Sequence, residues 1–184
     1  MSTAPRWALK QVDAGLLSVG YAEADPADGP AVLLLHGWPY DIHSYAEVTP
    51  VLAAAGYRVI VPFARGYGTT RFRSDATVRN GQQAALAVDV TTLMDALGIG
   101  KAILGGYDWG GRSADVVAAL WPDRCTGLVS VSGYLIGSQA AGSAYAGKFS
   151  GRYEHRLIEG GIGHNLPQEA PRAFAQAIID VGGY

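Results

Sequence analysis

Three short stretches hold residues whose types and spacing can do chemistry. In "LGGYDWGGRSAD", Leu104 to Asp115, an aspartate stands at the centre of the spacing Gly, any, Asp, any, Gly, behind an apolar run and ahead of a helical one. That is the pattern of a nucleophile elbow, in which Gly106 and Gly110 permit the tight bend that carries the central side chain. The central position is more often a serine. An aspartate suits a different reaction, because a carboxylate is charged at neutral pH and attacks carbon without the help of a base. The same residue also has a plainer reading: Asp at a strand-to-helix junction is a favoured N-cap whose carboxylate accepts the first free amides. The local pattern leaves both open for Asp108.

The second stretch, "LLLHGWP", ends an apolar run with His36, Gly37, Trp38 and Pro39. A loop at this place supplies one amide of an oxyanion hole, and the residue after the nucleophile supplies the other, which makes the Trp38 and Trp109 amides the candidates. Their indoles can wall an apolar pocket, hydrogen-bond a leaving group, or simply pack. His36 reads as structural, on a strand end where an imidazole satisfies neighbouring backbone groups. The third stretch, "GGIGHNLP", places His164 beyond Gly161 and Gly163 and just before a helix, later in the chain than the nucleophile, as expected of a general base.

These residues need a scaffold. Buried-strand runs ("AVLLLHG", "YRVIVPF", "KAILGGY", "CTGLVSVSGY") alternate with helical stretches ("HSYAEVTPVLAAAG", "GQQAALAVDVTTLMDALGIG", "GRSADVVAALWPD"). The alternation predicts an α/β fold with a mostly parallel sheet and helices on both faces. Two further strands, "WALKQV" and "LLSVGYAEA", suit an antiparallel edge. After Tyr134 the text turns to small polar residues, "LIGSQAAGSAYAGKFSG", of which "SAYAGKF" looks helical. "RYEHRLIEG" then reads as a last strand, pairing with "CTGLVSVSGY" and leaving His164 at its carboxyl end; an amphipathic helix closes the chain.

Composition narrows the function further. At 184 residues, with 49% hydrophobic and 16% charged residues, residues 1–184 read as a single domain with one good core. The mean hydropathy is +0.12, the net charge −2 and the pI near 6.0, with basic residues scattered, which argues against nucleic acid and anionic lipid as partners. No apolar run is long enough to span a membrane and "MSTAPRWALK" has no signal-like apolar region, so the expected location is cytoplasmic. The single Cys125 forms no internal disulfide, and Cys and His show no metal-ligand spacing; no metal or cofactor is implied.

Taken together, "HGWP", "ARGYGTT", "GYDWGG" and "GHNLPQEAP" resemble the epoxide hydrolase and haloalkane dehalogenase branch of the α/β-hydrolase superfamily. The likeness runs from Trp7 to about Tyr134 and from Ala144 to Val181. It implies that Asp108 attacks an sp³ carbon of a small apolar organic substrate, displacing an epoxide oxygen or a halide and leaving an alkyl ester. It implies next that His164 activates the water that hydrolyses that ester.

The resemblance also implies a helical cap and an acid-bearing strand between the "CTGLVSVSGY" strand and the last one. Here that region shrinks to a junction near 135–151. The cap tyrosines that protonate an epoxide oxygen have no match, although Tyr145 and Tyr153 lie near the junction. No Asp or Glu follows "VSVSGY", and Glu159 is the nearest candidate for the acid that orients His164. A natural truncation, a minimal fold and a fragment all fit, and an uncovered pocket or sheet edge would favour self-association. A serine hydrolase is disfavoured because Ser113, Ser130 and Ser132 lack flanking glycines. Dinucleotide binding is disfavoured because "GYGTTR" and "GIGHNL" lack the last glycine of the fingerprint. The remaining alternative is a catalytically inert scaffold or binding domain that keeps the elbow without efficient chemistry.

Overall fold

Long β-branched and leucine-rich runs bounded by glycine and proline form the centre of a mixed sheet. The computed structural model describes residues 8–24, 26–133 and 151–183. Its strands are β1 (Leu9–Ala14), β2 (Leu17–Ala24), β3 (Ala31–Leu35), β4 (Arg58–Pro62), β5 (Arg71–Phe72), β6 (Ala102–Tyr107) and β7 (Cys125–Val131). They lie in the order β1-β2-β4-β3-β6-β7, with β5 paired to β2 off this path. β4, β3, β6 and β7 run parallel to one another, while β2 is antiparallel to β1, β4 and β5. The edge predicted for the first two strands holds β1 with β2 beside it.

Because neighbouring side chains on a strand point to opposite faces, each central strand feeds two cores. Leu33, Ile60 and Leu104 face α2 (Gln83–Ala96) and α3 (Trp109–Leu120), packing with Leu93, Met94 and Val117. Val32, Leu34, Val59 and Val61 face α1 (Val48–Ala54) and the last helix, α5 (Pro171–Gly182), packing with Leu52, Phe174 and Ile178. A short α4 (Leu166–Glu169) leads into α5. Each fully buried aliphatic side chain contributes about 1.5–3 kcal/mol, so helices on both faces hold the strand ends rigidly where the candidate residues stand. Among the described residues, no helix is long and apolar enough to cross a membrane.

The close fit of α3 to β3 depends on Gly110, where any Cβ would collide with the Leu35 carbonyl. The helical stretch predicted from His43 begins later than expected. Asp41 caps a short 3-10 turn over Ile42–Tyr45, and α1 starts at Val48, which puts Pro50 in the first turn, where its missing N–H costs nothing.

The predicted last strand does not form. Residues 152–159 carry no strand or helix and lie almost wholly exposed. The segment offers the sheet few β-branched or apolar residues, and Arg156 is bound instead to Asp180 of α5 and to Glu154, each at 2.7 Å. β7 is therefore not joined by this segment, and His164 follows an irregular stretch rather than a strand end. The "SAYAGKF" helix and most of the shortened junction near 135–151 lie outside the described residues.

Candidate active site

The elbow is built as its glycines require. β6 ends at Tyr107 and α3 begins at Trp109, and Asp108 between them has φ 52° and ψ −120°, a left-handed conformation that a non-glycine residue adopts only under strain of about 1–3 kcal/mol. Two backbone bonds hold it there: its N–H donates to Val131 O at 2.9 Å and its carbonyl accepts the Arg112 N–H at 3.0 Å. The carboxylate makes no capping bond to α3, which decides between the two readings of this residue against the N-cap.

Instead, Asp108 Oδ1 accepts the Trp38 N–H at 2.9 Å. Trp109 is the first residue of α3, and an amide at that position has no acceptor within its own helix. Gly37 makes the approach of the two loops feasible, since a Cβ there would stand 2.6 Å from Asp108 Cβ. Trp38 is 64% exposed, and its peptide bond to the exposed Pro39 is cis.

Asp108 Oδ2 faces two cations or potential cations: His164 Nε2 at 3.6 Å and Arg112 Nη2 at 3.7 Å. Asp108 is 13% exposed at its side chain and His164 47%, so the imidazole reaches a largely covered carboxylate from the solvent side. The 3.6 Å separation is beyond a direct hydrogen bond. The Tyr107 ring meets the His164 ring edge-on at 6.0 Å between centroids. The histidine loop is tied down by the Gly163 N–H, which donates to Glu169 Oε2 at 2.6 Å. Glu159 is exposed and shares no hydrogen bond or ion pair with His164; the carboxylate that pairs with His164 among the described residues is Asp108.

His36 is buried and works as a brace. Its Nε2 accepts the Ala64 N–H at 3.0 Å and Nδ1 lies 3.2 Å from Gly37 O, an arrangement suited to the neutral ring that burial favours by lowering its pKa. The brace joins the loop after β3 to the loop after β4, where Tyr67 meets the His36 ring edge-on at 4.7 Å. Burial and the negative charge of Asp108 both raise the Tyr67 pKa, so its phenol stays protonated and within electrostatic reach of the carboxylate.

Beside the elbow lies a cavity of about 320 Å³ between the sheet and α2 and α3, lined by Leu17, Phe63, Leu86, Val90, Trp38 and Trp109 among others. Asp108 and His164 are not among its lining residues, whereas Trp38 and Trp109, adjacent to Gly37 and Asp108 in the chain, are. Arg65 and Asp89 close one wall with two bonds, 2.6 and 2.7 Å long.

The structure thus brings together Asp108, His164, Gly37, Trp38 and Trp109, and leaves Glu159 apart. Sequence reasoning missed Arg112, Tyr67, Ser44, Tyr107 and Asn165. Arg112 was within reach, since residues i and i+4 share a helix face and its guanidinium lies over the Trp109 ring at 4.8 Å. The others meet only through tertiary folding. Among the described residues, no three His, Cys, Asp or Glu side chains are grouped to hold a metal ion.

Comparison with known proteins identifies the family and fold. A family model described as the alpha/beta hydrolase fold matches residues 30–172. Epoxide hydrolase B of Mycobacterium tuberculosis is 41% identical over 116 residues, which cover 61% of this chain and 32% of that protein. A haloalkane dehalogenase of Mycobacterium marinum is 37% identical over 121 residues, 65% of this chain and 39% of that one. The chain thus spans 32–39%, about a third, of the length of these two curated relatives. A solved structure from Klebsiella pneumoniae, of a protein provisionally called an epoxide hydrolase, is similar over 96% of this chain and 97% of its own, with a TM-score of 0.88 and 36% identity.

Proposed function

Because the chain belongs to the alpha/beta hydrolase fold family, in its epoxide hydrolase and haloalkane dehalogenase branch, we propose that it hydrolyses an epoxide or alkyl halide through an ester on Asp108. The observation that carries this reading is the division of labour between the two carboxylate oxygens: Oδ1 is held by the Trp38 amide at 2.9 Å, and Oδ2 is turned toward His164 at 3.6 Å.

In the first step Oδ2 attacks the substrate carbon from the side opposite its leaving group. A C–O bond forms to Asp108 as the bond to the epoxide oxygen or halide breaks, and its electron pair leaves with that atom. A halide departs as it is; an epoxide oxygen takes up a proton. In the second step water attacks Asp108 Cγ while His164 Nε2 accepts its proton. Negative charge develops on Oδ1, where the Trp38 and Trp109 amides stabilise it. Collapse breaks the bond from Cγ to the alkyl oxygen, which takes the proton back from His164 and leaves as an alcohol, a diol when the substrate was an epoxide; the Asp108 carboxyl group gives its own proton to solvent and returns to the carboxylate. The cavity lined by the two tryptophans suits the apolar body of a small substrate, at roughly ten water volumes.

Intact-mass measurement after incubation with styrene oxide or 1-bromohexane tests the reading. The wild-type protein should gain the alkyl mass at Asp108 and then lose it, and Asp108→Asn should gain nothing. A second reading, an inert scaffold, is favoured by one observation, that no Asp or Glu besides Asp108 pairs with the His164 ring among the described residues. Absence of any adduct over days would select it.

A further inference from the structure

His164 is half-exposed and has no second carboxylate beside it among the described residues, yet a general base must hold its ring toward the ester. A buried hydrogen-bonded chain ties the residue after it to the residue before the nucleophile. Asn165 Nδ2 donates to Ser44 Oγ at 3.1 Å, and Ser44 Oγ lies 2.9 Å from Tyr107 Oη. All three side chains are buried. Tyr107 directly precedes Asp108 and Asn165 directly follows His164, so the two reacting side chains are linked through groups one peptide bond from each. The near end of the chain reaches the third loop as well, because the Tyr107 phenol oxygen also accepts a hydrogen bond from the backbone of Gly37, next to the Trp38 amide.

We infer that the Asn165–Ser44–Tyr107 chain positions His164 over Asp108, doing by main-chain anchoring what an orienting carboxylate does from the ring's far nitrogen. This rests on the reading of Asp108 and His164 given above.

Three features point to positioning rather than packing alone. The Asn165 amide donates a second time, to Gln168 Oε1 at 2.8 Å, so the side chain is clamped between α4 and the 3-10 turn after the oxyanion loop. Its Oδ1 is buried without a hydrogen-bond partner, a cost that an apolar residue in the same space would avoid. Finally, the chain ends in the ring that meets His164 edge-on, so one phenol both anchors the chain and walls the imidazole. None of the three touches the reacting atoms; all act through the placement of a neighbour.

The test separates the two chemical steps. Mass-resolved kinetics with styrene oxide should show Ser44→Ala and Asn165→Ala forming the Asp108 adduct within about twofold of the wild-type rate. Both should lose it about 10- to 100-fold more slowly, the scale on which a misplacement near 1 Å acts. The double variant should be no slower than the worse single one, because one chain is broken either way. Ser44→Thr, which keeps the hydroxyl, should restore adduct loss. Adduct loss at the wild-type rate in both single variants would overturn the inference, and so would equal slowing of both steps in proportion to lost thermal stability. A wild-type protein that never forms the adduct would instead overturn the Asp108 reading, and this inference with it.

Discussion

The carboxylate of Asp108 makes no capping bond to the helix that follows it and takes the amide of Trp38 at 2.9 Å. A residue held at φ 52° whose carboxylate caps no amide of its own helix, and meets that helix only through Arg112 at 3.7 Å, carries backbone strain that capping does not explain. Backbone hydrogen bonds to Val131 and Arg112 hold that conformation, and the second carboxylate oxygen stands 3.6 Å from His164 Nε2.

Replacing Asp108 by glycine should therefore leave the fold as stable as before while abolishing chemistry. Relief of about 1–3 kcal/mol of backbone strain offsets the lost Trp38 bond, about 1 kcal/mol, and glycine's extra unfolded freedom, about 0.5–1 kcal/mol. Thermal unfolding of Asp108→Gly should match the parent within a few degrees. A drop of ten degrees would mean that the carboxylate is structural after all.

Asp115, two turns further along α3, is buried against Ser130 and behaves differently. Burial raises its pKa to about 6, with the Ser130 hydrogen bond opposing. A carboxyl group whose pKa is raised on folding holds its proton more tightly in the folded state. Its contribution to stability is present below the unfolded value near 4 and is lost as pH rises through about 6. A shift of roughly two units corresponds to about 3 kcal/mol. Asp115→Asn should accordingly unfold several degrees higher than wild type at pH 8 and at nearly the same temperature at pH 4, by calorimetry. Equal stability at both pH values would refute the shift.

The sheet and elbow were legible because their residues carry periodic or local signals: runs such as Ala31–Leu35 and Arg58–Pro62 are apolar on both faces, and Gly106 and Gly110 flank Asp108 at a fixed spacing. The segment "RYEHRLIEG" imitated a strand by alternating Tyr153, His155 and Leu157 with charged residues, but Leu157 is 80% exposed and Arg156 pairs with a helix, so no sheet face receives the alternation. The two-residue β5 is too short to leave a pattern. Ser44 and Asn165 are 121 positions apart, and each looks like an ordinary turn residue until the fold brings them to 3.1 Å.

The Arg65–Asp89 pair walls the cavity with side chains only 8% and 16% exposed. Burial raises the Asp89 pKa even though the guanidinium opposes it. Arg65→Met should cost about 3–5 kcal/mol at neutral pH by leaving a buried carboxylate alone. Arg65→Met with Asp89→Leu should recover most of that loss. The single variant should also regain stability as pH falls and Asp89 takes up a proton, a trend visible in urea titrations at pH 7 and 5. A single variant as stable as the double at pH 7 would show that water screens the pair.

Tyr67 offers the sharpest test of the leaving-group chemistry. Tyr67 lines the cavity, and burial together with the charge on Asp108 raises its pKa, which keeps the proton on its phenol. An epoxide oxygen leaves as an alkoxide and gains from a hydrogen-bond donor as the ring opens; a bromide carries its charge off and needs no proton. Tyr67→Phe should slow Asp108 alkylation by styrene oxide about 100-fold, the low end of what a positioned acid contributes, while leaving alkylation by 1-bromohexane within about twofold. Equal slowing with both reagents would assign Tyr67 to shaping the pocket. No slowing with either would leave solvent as the proton source at a site that water can enter.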